Sequence, residues 1–420
     1  MTAIVSDAPA AVSRRRLTAA TFIGTAIEFY DFYLYGMAAA LVFPAVFFPS
    51  LDPVAGTLAA LSTFGAAFVA RPAGALLFGR RGDRHGRKST LVWTLLLTGL
   101  ATVAIGLLPG YAAIGVAAPA LLTLLRLAQG VGLGGEWAGA ALLAAEHAPP
   151  GRRGRAATGT QLGPAAGFLL ANGTFLLLGQ AMDPDMFERW GWRVPFVASL
   201  LLVLVGLYTR LRLAEAPIFT RAEPCRSPLR DLLRHQWKEV LLAAGVMVPG
   251  YALFYTTTVY FLAYGTRALG VPRTTMLLIA MAGVATMGLT TALSASLSDR
   301  LGRRRTLLAA TGLAAGWAAA MPPLIGRGWI APAVVVALAI MGLMYGPKGA
   351  LLPELFQTRY RYSGAALAYN LGGVVGGAVT PVVATVLRPA AVGWYLTGTA
   401  LLGLLCLLAI DDRRTHRPLS

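Results

Sequence analysis

Between two long apolar stretches the chain reads Gly-Arg-Arg-Gly-Asp-Arg-His-Gly-Arg-Lys, from Gly79 to Lys88. A close copy, Ser-Asp-Arg-Leu-Gly-Arg-Arg-Arg from Ser298 to Arg305, follows roughly half a chain later. Matching residue types at matching positions indicate an internal duplication, in which each copy belongs to one structural unit. The sequence therefore predicts two similar halves, each with this polar run between two apolar segments.

The composition of the 420-residue chain is that of a membrane protein. Hydrophobic residues make up 56% of it and charged residues only 13%, which is too apolar for a water-soluble domain. A helix needs about 20 apolar residues to cross a bilayer. We predict an all-α membrane protein with twelve transmembrane helices in two pseudo-symmetric six-helix bundles, at residues 17–46, 57–78, 90–109, 119–145, 156–179, 194–213, 240–264, 274–297, 306–325, 330–352, 364–386 and 392–410.

The net charge of +18 is distributed in a way that argues against nucleic-acid binding. If the N-terminus is cytoplasmic and the sides alternate, 27 of the 36 Lys and Arg fall in inside segments and only six in outside loops. This asymmetry is typical of the positive-inside rule. It predicts a multi-pass protein of the cell (cytoplasmic) membrane with both termini in the cytoplasm. We expect the lipid bilayer as a partner, no nucleic acid, and a monomer.

A proline- and arginine-rich interruption divides the twelve segments into two sets of six. It predicts an N-terminal bundle over residues 1–213, a cytoplasmic linker over 214–238 and a C-terminal bundle over 239–420. A second motif repeats as well. Glu146 and Arg153 follow segment four, and Glu354 and Arg361 follow segment ten with the same spacing, 208 residues later.

Several motifs resemble those of the major facilitator superfamily. Gly79-x-x-x-Asp83-Arg84-x-Gly86-Arg87-Lys88 is similar to its signature between spans two and three, Arg126-x-x-Gln129-Gly130 to its second motif, and Gly159-x-x-x-Gly163-Pro164-x-x-Gly167 to its third. A narrower resemblance is to the metabolite:proton symporter family, with its carriers of shikimate, oxoglutarate, citrate and osmolytes. The matching segments are 27–32 with 35–36, 134–137, 190–196, 215–219, 354–356 and 361–364.

Six side chains within the predicted spans are candidates for proton coupling and substrate binding. A charge in the membrane interior costs roughly 2.5–3.5 kcal/mol on insertion scales, so each one calls for a function or a partner. Spacing places two carboxylates on one face of span one, and three further side chains on one surface of span four. The candidates are Glu28, Asp31, Arg126, Gln129, Glu136 and Lys348.

We predict that Asp31 is the proton site and that Arg126 is its partner. A carboxylate beside an arginine stays ionised, whereas the same carboxylate alone in a dry cavity takes up a proton. An anion that claims Arg126 would free Asp31 to bind a proton, so that anion and proton move together. A purely structural ion pair is the alternative. Lys348 is left open between a substrate contact and a side chain that reaches the membrane interface.

Uncharged residues on shared helix faces are predicted to line the cavity, although aromatic stripes also serve packing alone. They are Tyr35, Gln161, Asn172, Tyr251, Tyr255, Tyr345, Tyr369 and Asn370. The family resemblance also implies a cytoplasmic gate, with Gly82 and Gly86 forming a tight turn and Asp83 capping a helix start. Its residues are Gly79, Asp83, Arg84, Gly86, Arg87, Glu146, Arg153 and Glu215 in the first half, and Asp299, Arg300, Gly302, Arg303, Glu354 and Arg361 in a separate latch of the second half.

The residues and the resemblance together predict a secondary active transporter. It would import a small organic anion, a carboxylate metabolite, with protons by alternating access between the halves. We expect no cofactor and no metal. A proton-coupled drug or organic-cation antiporter is the main alternative, since Glu28, Asp31 and Glu136 would attract a cation. A membrane-embedded enzyme is less favoured, because the four histidines fall in polar segments without metal-ligand spacing.

Overall fold

The structure, a computed structural model, describes residues 14–149, 151–211 and 228–411. Eleven helices in that part of the chain are long and apolar enough to cross a membrane. The twelfth is the first helix, which is 28 residues long and carries Glu28 and Asp31. Numbered in chain order, the helices α1 to α12 are Arg14–Leu41, Pro53–His85, Arg87–Leu107, Ala117–Glu146, Arg153–Ala181, Phe187–Leu211, Trp237–Thr266, Arg273–Leu301, Arg303–Gly326, Ile330–Leu355, Arg361–Val386 and Pro389–Ala409.

Irregular turns interrupt some of these long helices. Thr256–Tyr260 in α7 and Val374–Ala378 in α11 widen into π-helical turns. α10 consists of two helical pieces joined at Gly346 and Pro347, as expected where proline has no N–H to donate. Short helices at Phe43–Phe47, Tyr111–Ile114, Pro184–Met186 and Pro228–His235 lie between the long ones.

The predicted linker falls largely outside the described residues. Residues 214–227, and with them the predicted gate residue Glu215, are not among those that the structure describes. The remainder of the linker is the helix Pro228–His235 and the start of α7. The two domain limits therefore stay a prediction.

The helix packing is the same in both sets of six helices. In the first set α1 packs on α5, α2 on α4, and α3 on α4 and α6. In the second set α7 packs on α11, α8 on α10, and α9 on α10 and α12. The main contacts between the sets, α2 with α11 and α5 with α8, are also equivalent under this relation. The predicted pair of pseudo-symmetric six-helix bundles is therefore confirmed.

Glycines allow α1 and α5 to approach closely. Gly159, Gly163 and Gly167 recur every fourth residue on one face of α5, a pattern typical of close helix contacts in membranes. A methyl group added at Gly163 would lie 2.5 Å from Cβ of Thr25, and one at Gly167 would lie 2.7 Å from the carbonyl oxygen of Ala26. Side chains at these positions would push the two helices apart.

The repeated polar run turns at a single glycine in each copy. Gly86 has a φ of 97° and Gly302 a φ of 93°, both in the left-handed region that favours glycine. Gly82 does not share this turn as predicted, because α2 stays helical to His85 and α3 begins directly after Gly86. The side chain of Asp83 lies outside the described part of the structure, so its predicted role as a helix cap stays a prediction.

Replacing Gly163 with leucine tests the α1–α5 contact. The added side chain has no space against Thr25, so we expect the free energy of unfolding to fall by at least about 1–3 kcal/mol. Thermal unfolding in detergent, followed by tryptophan fluorescence, measures the change. Gly316→Leu in α9 is the control, because no heavy atom lies within 4 Å of its added Cβ. Equal losses in both variants would contradict the packing role.

Candidate functional site

Two ion pairs connect the halves at the ends of the helices that the charge bias assigns to the cytoplasm. Nη1 of Arg153 lies 3.3 Å from Oε1 of Glu354, and Nη1 of Arg361 lies 3.9 Å from Oε1 of Glu146. Each pair joins an arginine of one half to a glutamate of the other. The predicted latches are therefore not separate: Arg303 contacts Asp299 and Glu354 within the second half, as predicted, whereas Arg153 and Arg361 cross to the opposite half. We call this set, with Asp299 and Arg303, the inner latch.

Asp299 strengthens the inner latch by binding the start of a helix in the opposite half. Its carboxylate accepts hydrogen bonds from the backbone N–H groups of Gly154 and Arg155, both at 2.9 Å. These N–H groups belong to the first turn of α5. The N–H groups of a first turn have no hydrogen-bond partners within the helix, and this end of a helix attracts negative charge. Arg303 holds the carboxylate at 2.6 Å and also reaches Glu354 at 3.6 Å.

The other predicted gate residues have varied positions. Gly79 packs against Ser363 of α11, which an added methyl group would approach to 2.9 Å. Arg84 is half-buried and Arg300 is exposed. The side chains of Asp83 and Arg87, like Glu215, lie outside the described part of the structure.

Side chains of α11 enter a glycine-lined surface of α4 just above the inner latch. The hydroxyl of Tyr362 donates to the carbonyl oxygen of Gly135 at 2.6 Å, and the amide of Asn370 donates to that of Gly134 at 2.7 Å. Any side chain on Gly139 would collide with the Tyr362 hydroxyl, at 2.5 Å. Asn370 was predicted as a cavity residue, and it belongs to this contact between the halves.

A group of four side chains spans the interface next to that contact. The rings of Trp137 and Tyr369 stack with centroids 3.9 Å apart. Trp137 donates to the side-chain oxygen of Gln161 at 3.1 Å, and Gln161 donates to the carbonyl oxygen of Tyr345 at 2.5 Å. The hydroxyls of Tyr345 and Tyr369 are 3.4 Å apart. Three of these residues were predicted to share the cavity, and the structure brings them together.

An aromatic layer continues between the halves. Tyr255 of α7 packs against Phe64 and Phe68 of α2, with ring centroids 6.3 and 5.5 Å apart. Tyr251 lies beside Tyr369 at 5.5 Å, so the predicted α7 residues do face the first half and α11. This layer is buried throughout.

Two of the predicted lining residues lie apart from the interface contacts. The amide of Asn172 donates to the carbonyl oxygen of Phe168 in its own helix, at 2.9 Å. The hydroxyl of Tyr35 is 2.5 Å from that of Thr63, within the first half. The ring of Tyr35 does contact a functional candidate, since the guanidinium carbon of Arg126 lies 4.1 Å from its centroid.

Asp31 and Arg126 do not form the predicted ion pair in the described structure. Arg126 donates to the side-chain oxygen of Gln129, and Gln129 donates to the hydroxyl of Thr102 at 2.7 Å. The hydroxyls of Thr102 and Ser199 lie near the carboxylate of Asp31. The chain of polar groups Arg126, Gln129, Thr102 and Asp31 therefore links the two residues indirectly, through α3.

Glu136 has a direct basic partner, although none was predicted from the sequence. It forms an ion pair with Arg210 of α6, which also donates to the carbonyl oxygen of Leu91. Arg210 belongs to the segment that the charge bias assigns to the cytoplasmic side, and its side chain is buried in the protein. A methyl group on Gly24 would lie 2.9 Å from this guanidinium, one turn before Glu28. Oε2 of Glu28 is buried without a hydrogen-bond partner in the described chain.

Two further basic side chains are buried near the interface. The guanidinium carbon of Arg71 lies 4.4 Å from the ring centroids of both Phe32 and Phe68. Nζ of Lys348 lies 3.0 Å from the position of an added methyl group on Gly250 of α7. Lys348 is only 2% exposed, so its side chain is directed into the protein and not toward the membrane–water interface.

The sequence did not single out Arg71, Trp137, Arg210 or Tyr362. Arg71 carried the same signal as Arg126, a charge within an apolar segment, and Trp137 and Tyr362 stood inside the segments that matched the symporter family. Arg210 lies at the end of its segment. At such a position the sequence does not show whether an arginine is buried in the protein or exposed to the cytoplasm.

Comparisons with known proteins agree with this architecture. The model of the Major Facilitator Superfamily matches residues 21–381. The inner membrane metabolite transport protein YhjE of Escherichia coli K12 is 46% identical over 418 residues, covering 96% of this chain and 95% of that protein. The shikimate transporter of the same organism is 37% identical, with 95% of each chain covered. A proline/betaine transporter of Salmonella typhimurium is 33% identical, covering 97% and 85%.

Solved structures show the same fold. The proton:xylose symporter XylE, bound to 6-bromo-6-deoxy-D-glucose, superposes with a TM-score of 0.74 over 94% of both chains. It is 18% identical in sequence, so this likeness concerns the fold alone.

Removing carboxylates of the inner latch should open the inner ends of the halves. We expect Asp299→Asn with Glu354→Gln to lengthen the distance between spin labels on the exposed positions Arg152 and Arg305, because three arginine contacts and a helix cap lose their charge. Double electron–electron resonance measures that distance. Asp185→Asn, an exposed carboxylate beyond the opposite ends of the helices, is the control. An unchanged distance distribution in the double variant would contradict the latch.

Proposed function

This chain belongs to the major facilitator superfamily and is a transport protein, not an enzyme, and on that basis we propose that it moves a small organic anion together with protons. The observation that carries the proposal is a set of three buried basic side chains, Arg71, Arg126 and Lys348. Within the described residues none of them has a carboxylate at ion-pair distance.

Buried cations without counter-ions favour an anionic substrate. An isolated charge in a low-dielectric interior is costly, and aromatic contacts offset only part of that cost. A carboxylate that binds there supplies the missing charge. By their names, two relatives carry shikimate and proline or betaine, and each of these molecules bears a carboxylate group.

The polar chain from Arg126 to Asp31 suggests how anion and proton are coupled. The side-chain oxygen of Gln129 accepts a hydrogen bond from Arg126, and its amide nitrogen donates one to the Thr102 hydroxyl. Thr102 in turn donates to the carbonyl oxygen of Thr98 at 3.0 Å. An anion that binds Arg126 would draw it away from Gln129 and allow this amide to turn. With its charge neutralised by the anion, Arg126 no longer favours the ionised form of Asp31, whose Oδ1 has no hydrogen-bond partner in the described chain, and the buried carboxylate takes up a proton.

The contacts between the halves support transport by alternating access. The inner latch and the stack of Trp137 on Tyr369 hold the cytoplasmic ends together. On the other side a cavity of about 270 Å³ lies between α1, α5, α6 and α8, with Met37, Phe175 and Arg273 in its wall. We propose that this cavity is part of the outer entry route and that transport breaks the latch as the outer side closes.

An organic-cation antiporter is the second candidate. The unpartnered carboxylate oxygens of Glu28 and Asp31 favour it, since they would attract a cation. Three unpaired basic groups near the same interface argue against it.

The first experiment measures proton movement in proteoliposomes loaded with a pH dye. Organic acids, sugars and quaternary amines are added outside, and we expect acidification of the lumen with organic acids only. Substrate exchange without a proton gradient is measured in parallel. If no organic acid acidifies the lumen and quaternary amines are exchanged, the result would support the antiporter instead.

Asp31→Asn should abolish substrate-driven acidification, because asparagine cannot bind and release the proton. We expect exchange of labelled substrate across the membrane to continue, since the anion site is intact. Asp52→Asn is the matched control, because Asp52 lies exposed in a loop where it accepts the N–H of Ala55, and asparagine also fills that role. Full acidification by Asp31→Asn would exclude Asp31 as the proton site.

We further propose a monomer in the bacterial inner membrane with both termini in the cytoplasm. The inner-membrane name of the 46% identical relative and the positive-inside bias support the location. The inner latch and the aromatic layer are formed within one chain, which supports the monomer. A C-terminal green fluorescent protein should fluoresce and a C-terminal alkaline phosphatase should be inactive; the opposite pattern would contradict this topology.

A further inference from the structure

We infer that Arg71 and Arg126 form one anion site and that the substrate carries two carboxylate groups, one for each arginine. This rests on the proposed function and extends it to a class of substrate. Arg71 has no role in the coupling scheme above, and the inference makes it a substrate-binding residue.

Both arginines pack on the same ring. The guanidinium carbon of Arg71 lies 4.4 Å from the centroid of Phe32, and that of Arg126 lies 4.7 Å from it. Phe32 comes from α1, Arg71 from α2 and Arg126 from α4, and all three are buried. Three helices of the first half therefore bring two positive charges to one aromatic side chain, close enough for one small molecule to contact both.

Aromatic rings hold these cations without neutralising them. Arg71 also lies over Phe68, and Arg126 also lies over Tyr35 and Phe64, at 4.1 to 5.0 Å. Each cation–π contact contributes about 0.5–2 kcal/mol and leaves the net charge in place. Two adjacent guanidinium groups also repel each other. The pair is therefore suited to release its aromatic contacts for a dianion.

The arginines have donors to spare. Nε of Arg71 and both Nε and Nη2 of Arg126 are buried without a hydrogen-bond partner in the described chain. A guanidinium offers five N–H donors in a planar fork that fits a carboxylate through two parallel hydrogen bonds. Arg126 uses one donor on Gln129. Arg126 can thus bind one carboxylate in this way, and Arg71 offers at least its Nε to a second one.

The site borders the interface between the halves. Phe64 and Phe68, which pack on the arginines, also contact Tyr255 of α7. A methyl group on Gly377 of α11 would lie 2.7 Å from the ring of Phe68. Separation of the halves at this layer would uncover the Phe68 side of the site, as an alternating-access substrate site requires.

A monocarboxylate would leave one of the two guanidinium groups without a bound substrate carboxylate. Glu28 is near Arg71, so a purely structural role for Arg71 is to balance that carboxylate. The two roles differ in one measurable respect. A structural arginine affects all ligands alike, whereas a binding arginine affects the second carboxylate only.

Binding of matched acid pairs to the purified full-length protein tests the inference. The pairs are succinate with butyrate, and cyclohexane-1,3-dicarboxylate with cyclohexanecarboxylate. Isothermal titration calorimetry measures the affinity of each acid for the protein in nanodiscs. We expect each diacid to bind at least about tenfold more tightly than its monoacid. In Arg71→Gln that ratio should fall to about one while monoacid binding changes little.

Arg304→Gln is the matched control, because Arg304 donates to the carbonyl oxygens of Leu407 and Leu408, far along the chain from this site. Arg71→Lys serves if the glutamine variant does not fold: it retains the charge but loses the planar fork, and the diacid preference should still drop several-fold.

Equal affinity for monoacids and diacids in the unmodified protein would overturn the inference and leave the proposed function standing. A diacid preference that survives both Arg71 variants would overturn it as well. Absence of binding and of proton-coupled uptake for every organic acid would overturn the proposed function itself, and the inference with it.

Discussion

Charge in the membrane interior is the constraint on which this structure depends. Apart from Glu146 of the inner latch, three acidic and three basic side chains are buried among the helices in the described part of the first half: Glu28, Asp31, Glu136, Arg71, Arg126 and Arg210. The numbers balance, yet only Glu136 and Arg210 are in direct contact. Arg71, Arg126 and Asp31 lie instead beside aromatic rings, hydroxyls and an amide, which support a charge without cancelling it. Such groups can change partners when a proton or an anion arrives, which a closed ion pair cannot do without a larger cost.

The inner latch shows how duplication can produce a switch. Each half supplies one glutamate and one arginine at equivalent positions, and the pairs form between halves because α4 and α5 of one half lie against α10 and α11 of the other. The same glycines that allow close packing, Gly134 and Gly135, present carbonyl oxygens to Tyr362 and Asn370. All these bonds cross one interface, so a rotation of the halves would break them together.

The two halves share a fold but differ in chemistry. The first half contains six of the buried charges in the membrane interior, and the second contributes Lys348 together with the tyrosines of α7, α10 and α11. Proton and anion chemistry would therefore reside mainly in the first half. The second half would act as a movable aromatic wall, with Tyr255 and Tyr369 covering the site. Packing symmetry and chemical asymmetry are compatible, since helix contacts depend on small residues, whereas the site depends on a few polar ones.

The sequence by itself determined the twelve helices, the duplication, the family and most of the residues at the interface. These features depend on local composition: apolar length specifies a span, glycine spacing a close contact, and repeated charges a latch. Tertiary structure alone decided which side chains contact each other. Glu136 contacts Arg210 and not Arg126, Asp31 reaches Arg126 only through Thr102 and Gln129, and Arg153 crosses to Glu354. The physical reason is that helical periodicity specifies the face on which a side chain lies, whereas its partner depends on how the helices pack and which groups from other helices meet that face.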